Sequence, residues 1–356
     1  MKLLTRMGQT VRVGGEKDKG AEMKLVTFMK EGQKEREGML GAFLEGDAIL
    51  QLQPAAALYL HEVEKEKKPY LSAFHSIPAD MGEFLGRGTE AMNLARLTLD
   101  FIRKRRQEFA DSDRKKVLKG RRGETLIFPL SEVRLKPPVP RPGKIIAMGL
   151  NFYDHAMEIK AAVPQSPRAF LKVSSSLAGF GDPVPYPRLT SQLDYEVEIA
   201  VVIGKRGKDI PQEKAFEYIA GYTIFNDLSC RDLQRKEATE RPLYLAKNLD
   251  ALGPMGPSLV TRDEIADPQA LIMELYVNQE PEPRQKSTPG QMIFKIPELV
   301  AFWSQMTLEP GDIITSGTPG GVAASRQPDP GPWFLKPGDI VEARIEGLGA
   351  LRNPIV

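Results

Sequence analysis

Two carboxylates separated by one residue, inside a run of apolar residues, are the first sign of chemistry in this sequence. Residues 194–203 read Asp-Tyr-Glu-Val-Glu-Ile-Ala-Val-Val-Ile, which places Glu196 and Glu198 two positions apart. Alternate side chains of a β-strand share a face, so these carboxylates would lie about 7 Å apart. Buried like charges raise each other's pKa unless a cation compensates them. The pattern fits a divalent-metal site or a solvent-exposed strand face.

A third acid, Asp227, follows the apolar segment 222–225. The residues after Asp227 resemble the first turn of a helix, so its side chain could cap that helix. As a ligand, it would complete an all-oxygen set with Glu196 and Glu198. Such a set, with water in the remaining positions, suits Mg²⁺ or Mn²⁺ rather than a thiophilic metal. The local pattern leaves both interpretations open.

A histidine and an acid three positions apart, His155 and Glu158, are candidates for acid–base catalysis. If a helix begins at His155, Glu158 lies on the same face and can hold the imidazole in one tautomer. Such a pair can take a proton from water. The spacing is also common in structural roles, so it is weak by itself. The short segment 161–167 that follows contains proline and could move as a lid.

Three further polar residues, Arg231, Gln234 and Lys247, could meet an anionic substrate. Arg231 and Gln234 share a helix face close to Asp227. Cations beside a metal suit a substrate anion or a developing oxyanion, although each residue alone could equally be a surface ion-pair partner. Residues 317–321 are glycine-rich but lack the Gly-Lys-Ser/Thr of a phosphate loop, so no nucleotide site is predicted there.

The elements that must position these residues are mainly strands. Of the 29 prolines, only four precede residue 137, so strands and ordered loops are expected to dominate the C-terminal part. A helix is predicted over 88–109, where Leu94, Leu97 and Phe101 follow the spacing of one helix face. The predicted strands are 24–28, 41–44, 47–50, 144–149, 197–203, 221–225, 271–277, 313–314 and 340–345.

The composition excludes several classes of protein. The 356 residues carry 49 basic and 47 acidic side chains, a net charge of +2, which argues against a global binder of nucleic acid or membrane surfaces. One cysteine, Cys230, excludes a disulfide framework, and three histidines exclude a histidine-rich zinc site. No segment has the ~18–20 consecutive apolar residues of a membrane span, and no leader pattern is seen, so a cytoplasmic setting is expected.

The chain is predicted to divide at a proline-rich connector. Residues 137–142 hold four prolines in six positions, which makes a stiff extended segment. We predict a small α+β domain over 23–136 and a larger catalytic domain over 143–356. A poorly ordered extension is expected over 1–22. The small domain ends in a basic linker segment, 103–122, with ten basic and three acidic residues.

Taken in order, these motifs resemble the fumarylacetoacetate hydrolase family. The resemblance covers about residues 143–356, and residues 23–136 resemble, less specifically, the N-terminal domain of longer bacterial members. It implies an α+β, mainly β fold with a mixed β-roll catalytic domain, and a homodimer. The motifs that carry it are Asn151 with His155-x-x-Glu158, Asp194-Tyr195-Glu196-Val197-Glu198, Asn226-Asp227 with Arg231 and Gln234, Lys247, and Ser316-Gly317-Thr318-Pro319.

The resemblance also implies a reaction, namely hydrolytic cleavage of a C–C bond in a β-diketo acid of the acylpyruvate or fumarylpyruvate type. A divalent cation, Mg²⁺ or Mn²⁺, would act as a Lewis acid on the substrate oxygens. The implied roles are metal binding by Glu196, Glu198 and Asp227, catalysis by His155, Glu158 and Lys247, and substrate binding by Arg231, Gln234 and Thr318.

Two alternatives keep the same site and change the reaction. The first is a decarboxylase or isomerase of oxaloacetate-like or 2-oxo-dicarboxylic acids, and the second is a hydrolase of diketo-deoxy-sugar acids. A different class would be a non-catalytic polyanion-binding protein that uses segment 103–122. That segment contains one aromatic residue, Phe109, so a nucleic-acid surface is poorly supported. The expected partner is a small 2-oxo or diketo acid, not nucleic acid or a membrane.

Overall fold

The computed structural model describes residues 22–32, 38–45, 47–112, 118–240 and 244–356. Most of the predicted extension 1–22 and part of the basic segment 103–122 lie outside these ranges. The strands are β1 (Lys24–Lys30), β2 (Met39–Leu44), β3 (Ala48–Gln51), β4 (Ile127–Pro129), β5 (Val133–Leu135), β6 (Ile145–Met148), β7 (Ala169–Lys172), β8 (Leu177–Ala178), β9 (Leu193–Asp194), β10 (Val197–Ile203), β11 (Ile219–Asn226), β12 (Ser229–Cys230), β13 (Gly253–Thr261), β14 (Met273–Val277), β15 (Gln285–Ser287), β16 (Ile313–Thr315), β17 (Ile340–Ile345) and β18 (Gly349–Pro354).

Every strand predicted from the sequence has a counterpart in this set, and the predicted helix 88–109 corresponds to the fourth helix. Among the described residues, no helix has the length and apolar character needed to cross a membrane. The helices are α1 (Leu52–Glu62), α2 (Pro69–Ser76), α3 (Met81–Gly86), α4 (Thr89–Ser112), α5 (Tyr153–Glu158), α6 (Arg231–Glu240), α7 (Leu245–Asn248) and α8 (Ile296–Trp303).

One large sheet runs through both predicted domains. Its strand order is β4-β3-β2-β1-β13-β11-β10-β16-β6-β7, with β5 also paired to β1 and β8 to β13. The junction is the antiparallel pair β1–β13, in which Lys24 lies opposite Val260 and Leu25 opposite Leu259. Hydrogen bonds of one sheet therefore join strands from both sides of the proline-rich connector. The division of the chain into domains at 137–142 remains a prediction.

A second sheet, with strand order β15-β14-β17-β18, lies against the catalytic part of the large sheet. Strand β14 approaches β10, β17 approaches β11, and β18 approaches β13. The main hydrophobic core fills the space between the two sheets and includes residues of α8. This architecture is the mainly β, α+β fold that the sequence predicted.

Strand β10 shows the alternation that the sequence predicted. Val197, Ile199 and Val201 point into the core between the two sheets. Ala200 and Val202 point the other way, into a second core formed with the helices of residues 52–112. Because side chains alternate along a strand, Glu198 lies on the same face as Ala200. The face that carries the predicted ligands is thus the one against which the N-terminal helices pack.

The helix α4 is present, and Leu94 and Phe101 of its predicted face pack against the second core, whereas Leu97 does not. Leu97 is 50 % exposed, whereas Ala91, Ala95 and Leu99 are buried in the second core. Helix α4 packs against α1, whose own contact residues include alanines. Small side chains such as Ala95 allow two helix backbones to approach closely. Alanines therefore take part in this interface together with the predicted Phe101, whose ring lies 5.7 Å from that of Tyr59 on α1.

We expect Ala95→Leu to destabilise the protein by about 1–3 kcal/mol, because the added side chain must fit into a filled helix interface. The matched change on the exposed face, Leu97→Ala, should alter stability by no more than about 0.5 kcal/mol. Urea unfolding followed by circular dichroism measures both. A larger loss for Leu97→Ala than for Ala95→Leu would contradict the packing described for α4.

Candidate active site and metal centre

Three predicted ligands, Glu196, Glu198 and Asp227, come together at one end of the strand pair β10–β11. Val197 lies opposite Asn226 in this pair, so Glu196, just before β10, lies beside Asp227, just after β11. One oxygen from each carboxylate lies within 4.8 Å of the others. Glu196 is 6 % exposed, and the other two are fully buried. The interpretation of these glutamates as a solvent-exposed strand face is therefore wrong.

Asp227 does not cap a helix. Helix α6 begins at Arg231, after the short strand β12, so the chain near Asp227 is not a helix start. The Asp227 carboxylate instead accepts from the Lys247 ammonium at 2.7 Å and forms an ion pair with Lys172 at 2.8 Å. Its surroundings are charged side chains, as expected for a residue of a polar site.

Glu198 is the carboxylate that most needs a cation. Burial, together with the neighbouring Asp227 and Glu196 carboxylates, raises the pKa of Glu198 well above its ordinary value. The main-chain N–H of Gly317 donates to Oε2 at 3.2 Å. The other oxygen, Oε1, is buried without a hydrogen bond from any described residue. This donor set fits a hard divalent cation, and its three residues can hold one.

Two buried lysines compensate part of the negative charge. Lys247 Nζ lies 2.7 Å from both Glu196 Oε2 and Asp227 Oδ2. Lys172, on β7, contacts Asp227 Oδ1 and donates to the main-chain carbonyl of Lys247. Burial lowers the pKa of Lys172, and the charge of Asp227 opposes that shift. The sequence interpretation missed Lys172, although a lysine that ends the apolar segment Ala169–Lys172 was a signal for it.

Arg231 joins the carboxylates to the predicted substrate-binding residues. Its Nε donates to Asp194 Oδ2 at 2.8 Å, and Nη2 donates to Glu196 Oε1 at 2.6 Å. Its Nη1 donates to Gln234 Oε1 at 2.9 Å, which confirms the shared helix face. The sequence interpretation assigned no role to Asp194, which is fully buried within the motif that carries both glutamates.

The predicted dyad is present on α5. His155 Nδ1 lies 3.3 Å from Glu158 Oε2, and the main-chain N–H of Gly321 donates to both Glu158 oxygens, at 3.0 and 3.1 Å. Burial opposes ionisation of Glu158, but the hydrogen bonds from His155 and Gly321 outweigh it and lower the pKa. Burial opposes ionisation of Glu196, but the charges of Lys247 and Arg231, with a smaller contribution from His155, lower its pKa.

The glycine-rich segment 317–321 supports this dyad. Gly321 has a φ of +100°, and a Cβ on it would lie 2.4 Å from the carbonyl oxygen of Arg284. Only glycine can therefore donate its N–H to Glu158 from this position. The Thr318 hydroxyl donates to Val197 O at 3.1 Å and accepts from Gln285 at 2.9 Å. A contact between Thr318 and substrate remains a prediction.

Comparison with known proteins gives consistent results. Residues 144–356 match the family model described as Fumarylacetoacetate (FAA) hydrolase C-terminal. The chain is 38 % identical over 321 residues to Oxaloacetate tautomerase YisK of Bacillus subtilis, covering 89 % of this chain and 95 % of that protein. It is 39 % identical over 282 residues to Oxaloacetate tautomerase fahd2, mitochondrial, of Xenopus laevis, covering 79 % of this chain and 80 % of that protein.

A solved structure resembles the protein over nearly its whole length. It is the fumarylacetoacetate hydrolase from the psychrophile Exiguobacterium antarcticum, with a TM-score of 0.69 and 29 % sequence identity. The similarity covers 94 % of this chain and 99 % of that chain. It therefore includes the N-terminal strands and helices as well as the part that the family model matches.

We expect Glu198→Gln to weaken divalent-cation binding by roughly 100-fold, because it removes one charged donor from a buried set of three. The same change should not destabilise the metal-free protein, since it relieves repulsion from Asp227 and Glu196. Titration calorimetry with Mg²⁺ and Mn²⁺, and thermal unfolding in chelator, measure the two effects. Unchanged metal affinity would remove Glu198 from the ligand set.

Proposed function

Because the chain belongs to the fumarylacetoacetate hydrolase family and is an enzyme of that superfamily, we propose that it tautomerises an oxaloacetate-like 2-oxo acid between keto and enol forms. Two relatives that match at least 79 % of the chain carry the name oxaloacetate tautomerase. The observation that carries the proposal is the pair of His155 and Glu158, with Nδ1 3.3 Å from Oε2, in a chain that also holds a buried cluster of three carboxylates and two lysines. We therefore prefer tautomerisation by proton transfer to the hydrolytic C–C cleavage that the sequence favoured.

Tautomerisation needs a base at carbon and stabilisation of charge at oxygen. A proton leaves C3, a C2–C3 double bond forms, and the carbonyl oxygen gains a proton, so no water is consumed. A divalent cation held by Glu196, Glu198 and Asp227 would supply Lewis-acid stabilisation of the enolate. The remaining contributions come from side chains of this protein.

We assign the proton transfer to His155. Its Nδ1–H is directed at Glu158, so Nε2 is the nitrogen with a lone pair available. Glu158 has a lowered pKa and stays ionised, which stabilises the imidazolium after His155 takes a proton from C3. The same imidazolium can return the proton, directly or through solvent, to the oxygen.

Arg231 and Lys247 are the cations that would receive the substrate anion. Arg231 uses three of its five N–H groups on Asp194, Glu196 and Gln234, which leaves two for a carboxylate. The Lys247 ammonium lies between Glu196 and Asp227, where it can stabilise negative charge on an enolate oxygen. Gln234 and Thr318 remain proposed substrate contacts beside them.

Hydrolysis of an acylpyruvate or fumarylpyruvate is the second candidate. It is favoured by the same dyad, because Nε2 of His155 could take a proton from water instead of carbon. A solved structure named fumarylacetoacetate hydrolase resembles the chain over 94 % of its length. The two reactions share enolate stabilisation and differ in whether water attacks the distal carbonyl.

We expect the Mg²⁺- or Mn²⁺-loaded protein to accelerate loss of the enol absorbance of oxaloacetate, and chelation to abolish that acceleration. His155→Gln should lower the rate by roughly 10²–10⁴-fold while metal affinity is retained, because the imidazole moves the proton but is not a ligand. Parallel assays follow cleavage of acylpyruvate and fumarylpyruvate. Cleavage without tautomerisation would replace the first candidate by the second, and metal-independent activity would contradict both.

A homodimer and a cytoplasmic setting are further parts of this proposal. Strand β7 ends the large sheet, and large apolar side chains are exposed on it and on neighbouring segments: Leu171 is 58 % exposed, Met157 79 % and Tyr244 53 %. Exposed apolar side chains of this size favour association with a second copy. Asn248 donates to the main-chain carbonyls of Leu171 and Tyr244, which places these two residues together.

Light scattering of the purified protein should give twice the chain mass of 39.5 kDa. Leu171→Lys should shift the mass towards the monomer, because it places a charge in the proposed contact. The exposed Leu97 on the far helix provides the control, since Leu97→Lys should leave the mass unchanged. A wild-type mass of one chain at micromolar concentration would contradict the dimer.

A further inference from the structure

Asp194 is a fully buried carboxylate that takes no direct part in the proposed reaction. It ends β9, which pairs antiparallel with β12, and β12 ends at the residue before Arg231. This pairing brings the Asp194 carboxylate to the Arg231 guanidinium, with Nε donating to Oδ2 at 2.8 Å. The contact therefore follows from strand pairing across 37 positions of sequence.

Main-chain groups hold Asp194 in one orientation. The N–H of Ala323 donates to Oδ1 at 2.8 Å, and the N–H of Ala324 donates to Oδ2 at 3.0 Å. The N–H of Tyr195 also donates to Oδ1, at 2.8 Å. A carboxylate with four hydrogen bonds, three of them from the backbone, is a rigid acceptor. Whatever it binds through the fourth bond is positioned with the same rigidity.

The group so positioned is the Arg231 guanidinium. A guanidinium is planar, so hydrogen bonds at Nε and at both terminal nitrogens fix the directions of its remaining N–H groups. The terminal nitrogens contact Gln234 and Glu196, both of which belong to the proposed site. Asp194 is the third partner of Arg231. Unlike Glu196 and Gln234, Asp194 is neither a proposed metal ligand nor a proposed substrate contact.

The main-chain donors to Asp194 belong to the segment that also supports the dyad. Gly321 binds Glu158, and Ala323 and Ala324, two and three positions later, bind Asp194. A short 3-10 turn covers Ala323–Ser325. Residues 321–324 therefore hold both Glu158 of the proposed catalytic dyad and Asp194, the partner of Arg231.

We infer that Asp194 is a positioning residue, which acts through Arg231 and holds its guanidinium in the orientation that receives the substrate carboxylate. This inference rests on the proposed function for the choice of ligand, an anion of the 2-oxo acid class. Asp194→Asn keeps the shape of the side chain but removes its charge and replaces one acceptor oxygen by a donor. The Nε–H of Arg231 or a main-chain N–H then faces an N–H group.

The chain provides a closely matched control in Asp182. Its carboxylate is also buried, accepts from an arginine Nε (Arg134, 2.6 Å) and accepts from a main-chain N–H (Gly179, 2.7 Å). It contacts none of the residues of the proposed active site. Asp182→Asn therefore makes the same chemical change at another buried carboxylate that binds an arginine. A larger loss of oxalate affinity for Asp194→Asn is then attributed to the contact between Asp194 and Arg231.

A double-mutant cycle tests the inference. The four proteins are wild type, Asp194→Asn, Arg231→Lys and the double variant, each loaded with Mg²⁺. Calorimetry measures the affinity for oxalate, a planar dicarboxylate, and the tautomerase assay gives kcat/KM. We expect Asp194→Asn to weaken oxalate binding at least ~10-fold in the wild-type background and less than ~2-fold in the Arg231→Lys background, because coupled residues are not additive.

Equal fold-losses in the two backgrounds would overturn the inference, and so would a loss no larger than that of Asp182→Asn. If Asp194→Asn has no cooperative thermal transition, Asp194→Glu, which keeps the charge and displaces it by one methylene group, is carried through the same cycle. Oxalate binding is measured without turnover. If tautomerase activity is missing but the two substitutions are coupled in oxalate binding as expected, only the proposed reaction is refuted. If their effects on oxalate binding are additive and tautomerase activity is normal, only the role of Asp194 is refuted.

Discussion

The repulsion among the carboxylates of Glu196, Glu198 and Asp227 governs the arrangement of everything around them. One oxygen from each lies within 4.8 Å of the others, and all three residues are buried, where unpaired charge is most costly. Lys172, Lys247 and Arg231 reduce this repulsion by direct contact, each from a different segment of the chain. Glu198 keeps an oxygen without a hydrogen bond among the described residues, and that uncompensated oxygen is why the cluster fits a divalent cation.

The sheets explain how such a cluster can persist. Acidic side chains emerge from the end of the β10–β11 pair, the most extensively paired strands of the large sheet, so their backbones are fixed on both sides. The core between the two sheets packs against one face of β10, and the N-terminal helices pack against the other. Water is therefore kept from both sides of the strand. The helices of residues 52–112 supply no proposed ligand, and they share a core with Ala200 and Val202, which lie on the same face of β10 as Glu198.

The same constellation can serve proton transfer or hydrolysis. Both reactions pass through an enolate whose charge must be stabilised by cations, and both use a base whose protonated form is stabilised by a carboxylate. In the proposed site, His155 and Glu158 would provide that base and Arg231 and Lys247 would provide the cations. The choice between the reactions depends on whether water reaches the distal carbonyl.

The sequence by itself predicted nine of the eighteen strands of the described residues, the alternation along β10, the dyad on α5 and the three carboxylates, because each of these is a pattern of neighbours along the chain. Tertiary structure decided the rest. Lys172 reaches Asp227 across 55 positions, and Asp194 reaches Arg231 across 37, through strand pairing that no local spacing encodes. Packing against α1 decided that Ala95 rather than Leu97 of α4 is buried. Local periodicity follows from backbone geometry, whereas charge compensation and helix packing depend on which distant segments the fold brings into contact.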